Sequence, residues 1–150
     1  MSAAFTYIAL SAYRSKRLFA CLILVGFFIQ WAEAQYSTNN SGNWNTATIW
    51  TPVGVPSAAH SVNINSGNTV TLTANASCNN INLNGTLNIG NYNFTLVSNF
   101  RIQGGIITMG SGNCYFRDDV IEVLGGGTFN WGTGTVIFDR AGNQSIPGPT

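Results

Sequence analysis

The sequence predicts an all-β fold, a right-handed parallel β-solenoid (β-helix) closed at its N-terminal end by an aromatic cap. Three observations lead to this prediction. Much of the chain consists of short segments, such as TVTLT, TLNI and FTLV, that alternate apolar and polar residues and are separated by turn signals. Glycines and apolar residues recur with a fixed period. Charged residues make up only 7% of the chain, so uncharged side chains must keep the surface polar.

Residues 1–34 are predicted to be a signal peptide. A basic cluster at Arg14, Lys16 and Arg17 precedes the apolar run LFACLILVGFFIQW, and AEA then gives a small-x-small cleavage pattern. Cleavage is expected between Ala34 and Gln35. The apolar run has about fourteen residues where a membrane-spanning helix needs about twenty. We therefore expect a secreted protein, extracellular or on the outer cell surface, with no membrane span after signal removal.

Residues 35–58 form the predicted capping segment. Trp44 and Trp50 lie six residues apart before the turn PVGVP. A solenoid exposes an apolar end with unpaired strand edges, and natural solenoids cover that end to prevent association. The two tryptophans are predicted to fill this structural role. The alternative is that they are exposed and stack on the sugar rings of a glycan.

Residues 59–146 are predicted to form coils of about twenty residues. Three blocks carry this prediction: NGTLNIGNYNFTLV, GGIITMGSGNCYF and GGTFNWGTGTVIF. When they are aligned, glycines and apolar residues fall into columns, which a stack of in-register parallel strands would explain. Glycine would then stand where the backbone needs a positive φ or where stacked turns leave no room for a side chain. The glycine columns are Gly85, Gly105 and Gly127, and Gly90, Gly110 and Gly132.

An antiparallel β-sandwich is the alternative fold. Short strands with turn signals every eight to twelve residues describe a sandwich or jelly roll as well. An upstream block, SGNTVTLTANASCNNINL, fits the repeat less cleanly. The row Thr69, Thr71 and Thr73 does not repeat in the neighbouring coils by this alignment.

The charge balance excludes some partners. Six Lys+Arg and five Asp+Glu give a net charge of +1, which provides no basic surface for nucleic acid. The predicted partners are extracellular glycans or other surface components, together with further repeats of the same chain. Residues 147–150 are interpreted as the end of a truncated chain.

Few residues are candidates for chemistry. Asp118, Asp119 and Glu122 form the one acidic cluster, which is the type of group that cleaves polysaccharides in some β-helices. Adjacent strand residues point to opposite faces, so a charged surface turn is the favoured explanation of the cluster. No motif for a metal ion or a cofactor is present. Cys78 and Cys114 are expected to be buried thiols, because they stand at different phases of the repeat.

The segment SGNWNTATIWTPVGVPSAAHSVNIN resembles the N-terminal module of secreted β-strand-repeat proteins of Bacteroidota, adhesin-like surface proteins often exported by the type IX system. The resemblance continues through GTLNIG and GTFNWGTGTVIFDRAGNQSI. It implies a stalk or passenger at the cell surface, with no defined enzymatic residues. His60 stands where similar sequences carry Asp, so a turn or cation contact of that Asp is expected to be lost or altered.

These observations together predict an exported structural or adhesin-like protein with no chemistry of its own. The alternative is a carbohydrate-binding or polysaccharide-cleaving β-helix. The two differ in one observable feature, because an enzyme needs a cleft with converging carboxylates.

Overall fold

The computed structural model describes residues 34–117 and 121–140. These residues form short β-strands and one 3-10 turn at Ala47–Ile49. In chain order the strands are β1 (Gln35–Thr38), β2 (Gly42–Asn43), β3 (Trp50–Thr51), β4 (Ser61–Ile64), β5 (Thr69–Thr71), β6 (Ala76–Cys78), β7 (Ile81–Leu83), β8 (Thr86–Gly90), β9 (Phe94–Leu96), β10 (Phe100–Gln103), β11 (Ile106–Met109), β12 (Cys114–Phe116), β13 (Ile121–Leu124), β14 (Thr128–Asn130) and β15 (Val136–Phe138).

The strands build three parallel sheets that wind into a β-solenoid of about four turns. Sheet A has the order β13-β10-β7-β4-β1-β3, sheet B the order β14-β11-β8-β5-β2 and sheet C the order β15-β12-β9-β6. Each complete coil contributes one strand to every sheet, and only β3 pairs antiparallel, with β1. The predicted solenoid is therefore confirmed, and the alternative of an antiparallel sandwich is wrong.

The core consists of apolar columns that run along the solenoid axis. Sheet A stacks Val62, Ile81, Phe100 and Ile121 in register. Burial alternates along the strands of the inner coils, as in β8, whose Leu87 and Ile89 are buried while their neighbours are partly exposed. This alternation follows from the strand period of two residues, which sends successive side chains to opposite faces of a sheet.

The glycine columns mark places where neighbouring coils approach closely. A Cβ on Gly105 would lie 2.5 Å from the carbonyl oxygen of Leu83 and 2.7 Å from that of Gly85. Gly110 would similarly meet the carbonyl oxygen of Gly90 at 2.5 Å. Gly90 itself has a φ of 63°, a left-handed conformation that favours glycine. Cβ atoms on Gly85 and Gly132 would also contact backbone carbonyl oxygens, whereas one on Gly127 would contact the side chain of Ile102.

The N-terminal segment closes one end of the stack. Trp44 is 1% exposed and Trp50 is 0% exposed. Trp50 Nε1 donates a hydrogen bond to the Trp44 carbonyl oxygen at 2.9 Å, and Trp44 Nε1 donates to the Pro56 carbonyl oxygen at 3.4 Å. The Trp44 ring packs edge-on against Phe94, with the ring centroids 5.5 Å apart. Both indole N–H groups therefore have partners, as buried tryptophans usually require.

The last described coil is less well covered than the others. Val123 and Phe138 are 50% and 39% exposed, although Ile102 and Phe116, their counterparts in the preceding coil, are buried. Leu124 is 47% exposed. Trp131 is 70% exposed and packs against Phe129 with ring centroids 4.3 Å apart. Exposed apolar side chains are therefore concentrated at this end of the described solenoid.

Besides Asp118 and Asp119, two predicted segments lie outside the described residues. These are the leader before Ala34 and the segment 141–150, which includes the predicted chain end. Among the described residues, no helix is long and apolar enough to span a membrane.

Candidate functional site

The outer face of sheet A carries a polar groove. Its central column stacks Asn63, Asn82, Arg101 and Glu122, one residue from each successive coil. Arg101 Nε lies 2.6 Å from Glu122 Oε2. This pair is about half exposed, and such pairs contribute at most about 1 kcal/mol to stability. Next to it, the Asn82 Oδ1 atom is buried and has no hydrogen-bond partner among the described residues.

Asparagine ladders line the corners of the solenoid. One ladder lies at the corner that directly precedes the strands of sheet C. There the Asn75 Oδ1 atom accepts a hydrogen bond from the Asn93 backbone N–H at 2.9 Å, and the Asn93 Oδ1 atom accepts one from the Asn113 backbone N–H at 3.1 Å. Asn113 Oδ1 continues the ladder to the Thr135 N–H at 3.0 Å. Before sheet A, Asn80 Oδ1 accepts from the Asn99 N–H at 3.0 Å. These amides hold the coils together by satisfying turn N–H groups, so their Oδ1 atoms are already in use.

The acidic candidates are only partly placed. Asp118 and Asp119 lie outside the described residues. Glu122 is paired with Arg101, and Asp139 lies 3.4 Å from the Arg117 guanidinium. Within residues 34–117 and 121–140, no group of three His, Cys, Asp or Glu residues could hold a metal ion.

Trp44 and Trp50 have no ring face open to a ligand. Both rings are buried in the hydrophobic core, so the sugar-stacking alternative would require the cap to open. Trp131 is the exposed tryptophan, at 70%. The sequence around Trp131 does not indicate this exposure. The exposure depends on the position of Trp131 in the last described coil.

His60 occupies a turn at the end of the cap. Its Nδ1 atom accepts a hydrogen bond from the Ser57 backbone N–H at 3.0 Å. The His60 backbone N–H donates to the Ser57 carbonyl oxygen at 2.9 Å. The imidazole also packs against Tyr36, with the ring centroids 4.9 Å apart. A backbone turn contact is therefore present with histidine at this position.

Cys78 and Cys114 are free, buried thiols of sheet C. Burial, and to a lesser extent the charge of a nearby Cys114 thiolate, would raise the pKa of Cys78 well above its usual value. Burial raises the pKa of Cys114 to about 12. Both thiols remain protonated at neutral pH and are poor nucleophiles, because the thiolate is the reactive form.

A second polar surface, which was not predicted from the sequence, lies on the outer face of sheet B. The register places Thr69 beside Thr86 but Thr71 beside Asn88, so the Thr-x-Thr row does not repeat in the next coil, as the sequence indicated. Thr71 stacks on Asn88 because the step from β5 to β8 is shorter than the later steps. We call this surface the threonine–asparagine face. One row contains Thr69, Thr86, Ile106 and Thr128, and the other contains Asn43, Thr71, Asn88, Thr108 and Asn130.

Comparison with known proteins identifies a family. The model of the G8 domain matches residues 45–144, which include all of the repeated coils described above. The chain belongs to the G8 domain family. Domains of this family are extracellular. No curated protein and no solved structure matches the chain. The G8 match covers β3 to β15 and begins inside the cap, one residue after Trp44.

Proposed function

We propose that this G8 domain protein is exported and serves as a structural, adhesin-like module at the cell surface, with no chemistry of its own. The observation that carries the proposal is the uninterrupted stack of coils whose polar ladders carry almost no charge. Membership of an extracellular domain family and the solenoid fold both support a surface structural protein. The resemblance to Bacteroidota surface proteins supports the adhesin-like role and export by the type IX system.

The stacked coils provide a stiff element that depends little on solution conditions. Neighbouring coils are joined by backbone hydrogen bonds, such as that from the Phe94 N–H to the Asn113 carbonyl oxygen at 2.9 Å. The asparagine ladders run parallel to these bonds and contain no titratable group. Screening by salt weakens exposed ion pairs, but the described coils contain few of them. A module of this kind suits an extracellular medium of variable salt and pH.

The leader is compatible with this fold. Strand β1 begins at Gln35, the residue that follows the predicted cleavage site. Removal of residues 1–34 would therefore leave every described strand intact. The mature chain would begin with a strand that is already paired with β4.

The proposal that the protein does not cleave polysaccharides rests on the pairing of Glu122, the one candidate acidic residue that the structure describes. Glu122 is held by Arg101 at 2.6 Å, whereas a polysaccharide-cleaving site needs two carboxylates on either side of the bond to be broken. Incubation of the purified protein with extracellular polysaccharides, followed by a reducing-end assay, tests this part of the proposal. Release of new reducing ends that is lost in Glu122→Gln would contradict it.

Surface location is tested by labelling intact cells. We expect antibodies raised against residues 35–140 to bind unpermeabilised cells of the native host, and external protease to remove that signal. Amine-reactive labels are unsuitable, because the one lysine of the chain, Lys16, lies in the leader. Labelling that appears only after permeabilisation would overturn the proposed function.

A further inference from the structure

Gln35 is both the first residue of β1 and the residue that follows the predicted cleavage site. It is exposed, and its carboxamide makes no hydrogen bond to any residue that the structure describes. The next residue, Tyr36, is held in place, because it pairs with Val62 of β4 and its ring packs against His60 with the centroids 4.9 Å apart. The Gln35 side chain therefore stands at the surface, directly before a strand that is fixed.

The chain contains few primary amines. Its one lysine, Lys16, lies in the predicted leader, and the cations after the leader are all arginines. Cleavage between Ala34 and Gln35 would remove Lys16 and create a new α-amine on Gln35. That α-amine would be the one primary amine between Gln35 and Thr150. Its chemical state can therefore be read without interference from any other amine of this segment.

We propose that Gln35 is converted to pyroglutamate once it has become the N-terminal residue. The α-amine nitrogen attacks the side-chain carbonyl carbon Cδ, so that a new C–N bond forms and the bond from Cδ to Nε2 breaks. Nε2 leaves as ammonia, and the proton that it gains is the one that the attacking amine loses. One amide replaces another, so no oxidant, reductant or further reactant is required. The product is a five-membered lactam that keeps an N–H but has no basic amine.

Several features favour closure of this ring. The amine and the carbonyl carbon belong to one residue, so they meet at a high effective concentration. The pKa of an α-amino group is ordinarily about 8, which leaves an appreciable part of it unprotonated and nucleophilic near neutral pH. Because the Gln35 carboxamide has no hydrogen-bond partner among the described residues, no such bond within the described fold has to break first.

The ring would protect a strand that the fold needs. Strand β1 lies between β3 of the cap and β4 of the first coil. The hydroxyl group of its buried Thr38 accepts hydrogen bonds from the Asn65 backbone N–H and from Asn68 Nδ2, both at 2.9 Å. Aminopeptidases bind a free terminal α-amine, which a pyroglutamyl chain lacks. The modification would therefore prevent stepwise removal of β1 by such enzymes outside the cell.

This proposal rests on the proposed export and cleavage of the chain. The test uses the full chain, expressed in its native host and recovered from the cell surface or the medium. An amine-reactive reagent is added at recovery, so that any remaining α-amine is trapped before it can cyclise during handling. The mass of the N-terminal peptide is then measured. We expect a peptide that begins at Gln35, carries no label and is lighter by one molecule of ammonia than its sequence requires.

A matched variant assigns the loss of ammonia to this side chain. Gln35→Asn keeps the carboxamide but is one methylene group shorter, so it could close only a strained four-membered ring. Its N-terminal peptide should begin at residue 35, have its full mass and carry the label on its α-amine. Gln35→Ala has no carboxamide, should behave in the same way, and serves if Gln35→Asn is not exported. An aminopeptidase should shorten these labelling-competent variants when it acts on unlabelled protein, but not the native chain.

Three outcomes would overturn the proposal. A native peptide that begins at Gln35 with its full mass and a labelled α-amine would refute the cyclisation, while leaving export and cleavage intact. Equal loss of ammonia in Gln35→Asn would show that the ammonia does not come from closure of this ring. A chain that retains Lys16, detected by a label on that residue, would contradict the proposed cleavage as well, because Gln35 would not become N-terminal.

Discussion

The contribution of a tryptophan to the free energy of unfolding of this solenoid depends on how deeply its ring is buried. Trp50 is fully buried in the cap and its indole N–H is satisfied, whereas Trp131 is mostly exposed. We expect Trp50→Ala to lower the free energy of unfolding by about 3–5 kcal/mol, since it leaves a large cavity. Trp131→Ala is the matched control and should change it by about 0.5 kcal/mol or less. Urea unfolding followed by circular dichroism measures both, and equal losses would contradict this view of the cap.

Glycine at position 105 is required by the approach of two coils. A methyl group there would meet the carbonyl oxygens of Leu83 and Gly85. Gly105→Ala should therefore cost about 1–3 kcal/mol, because the backbone must move to make room. Gly67 has a φ of 81° and open space around it. Gly67→Asn is thus a suitable control, since asparagine tolerates this conformation. A Gly105→Ala variant as stable as the native chain would show that the coils are further apart than described.

The buried thiols make stability fall at alkaline pH. Burial raises the pKa of Cys114 to about 12 from a usual value of 9.0, and the pKa of Cys78 is also raised. The unfolded chain releases thiol protons near its usual pKa while the folded chain keeps them. The stabilisation is therefore complete below about pH 9 and is lost as the pH rises through about 12.

Chemical denaturation at a series of pH values measures this effect. The double variant Cys78→Ala/Cys114→Ala should be less stable at pH 7 but should lose less of its remaining stability between pH 8 and pH 11. Leu87→Ala, which creates a cavity without removing a thiol, should keep the pH dependence of the native chain. Parallel pH curves for all three proteins would refute the assignment.

At the scale of elements, the two ends of the described solenoid differ. The N-terminal end is covered by the segment that contains Trp44, whereas the last coil exposes Val123, Leu124 and Phe138. Exposed apolar groups at the edge of stacked strands promote association. We expect sedimentation velocity to show self-association that increases with protein concentration.

A substitution pair locates this association. Val123→Lys should reduce it by placing a charge at the open end, whereas Val53→Lys, at a 74% exposed position of the cap, should leave it unchanged. Association that persists in Val123→Lys would place the contact elsewhere on the molecule. Monomeric behaviour of the native chain at all concentrations would mean that the open end is protected in solution.

The pairing of strands could be predicted where successive coils contain similar numbers of residues. The alignment placed Leu87, Ile107 and Phe129 in one column, and the structure pairs the same residues. The upstream block fitted the repeat less cleanly because the step from Thr71 to Asn88 is shorter than the later steps of the same sheet. Corner length can vary in a solenoid, since turns tolerate insertions and deletions while the strands on either side keep their register.

At the scale of the whole molecule, the solenoid fold was accessible from the sequence, but the hydrogen-bonding state of each outward polar side chain was not. Few charges and alternating strands imply a neutral solenoid, and the structure confirms the solenoid. Which of the many Asn and Thr residues are free depends on contacts between coils. Asn93 accepts a bond from the next coil, whereas Asn88 makes none to the described residues, and both lie in similar sequence surroundings.

The central claim is that this chain works outside the cell after loss of its leader. The most direct measurement is the N-terminus of the native protein, obtained by mass spectrometry of material recovered from the cell surface or the medium. We expect a chain that begins at Gln35, where β1 starts. A native protein that is found inside the cell and retains residues 1–34 would contradict it.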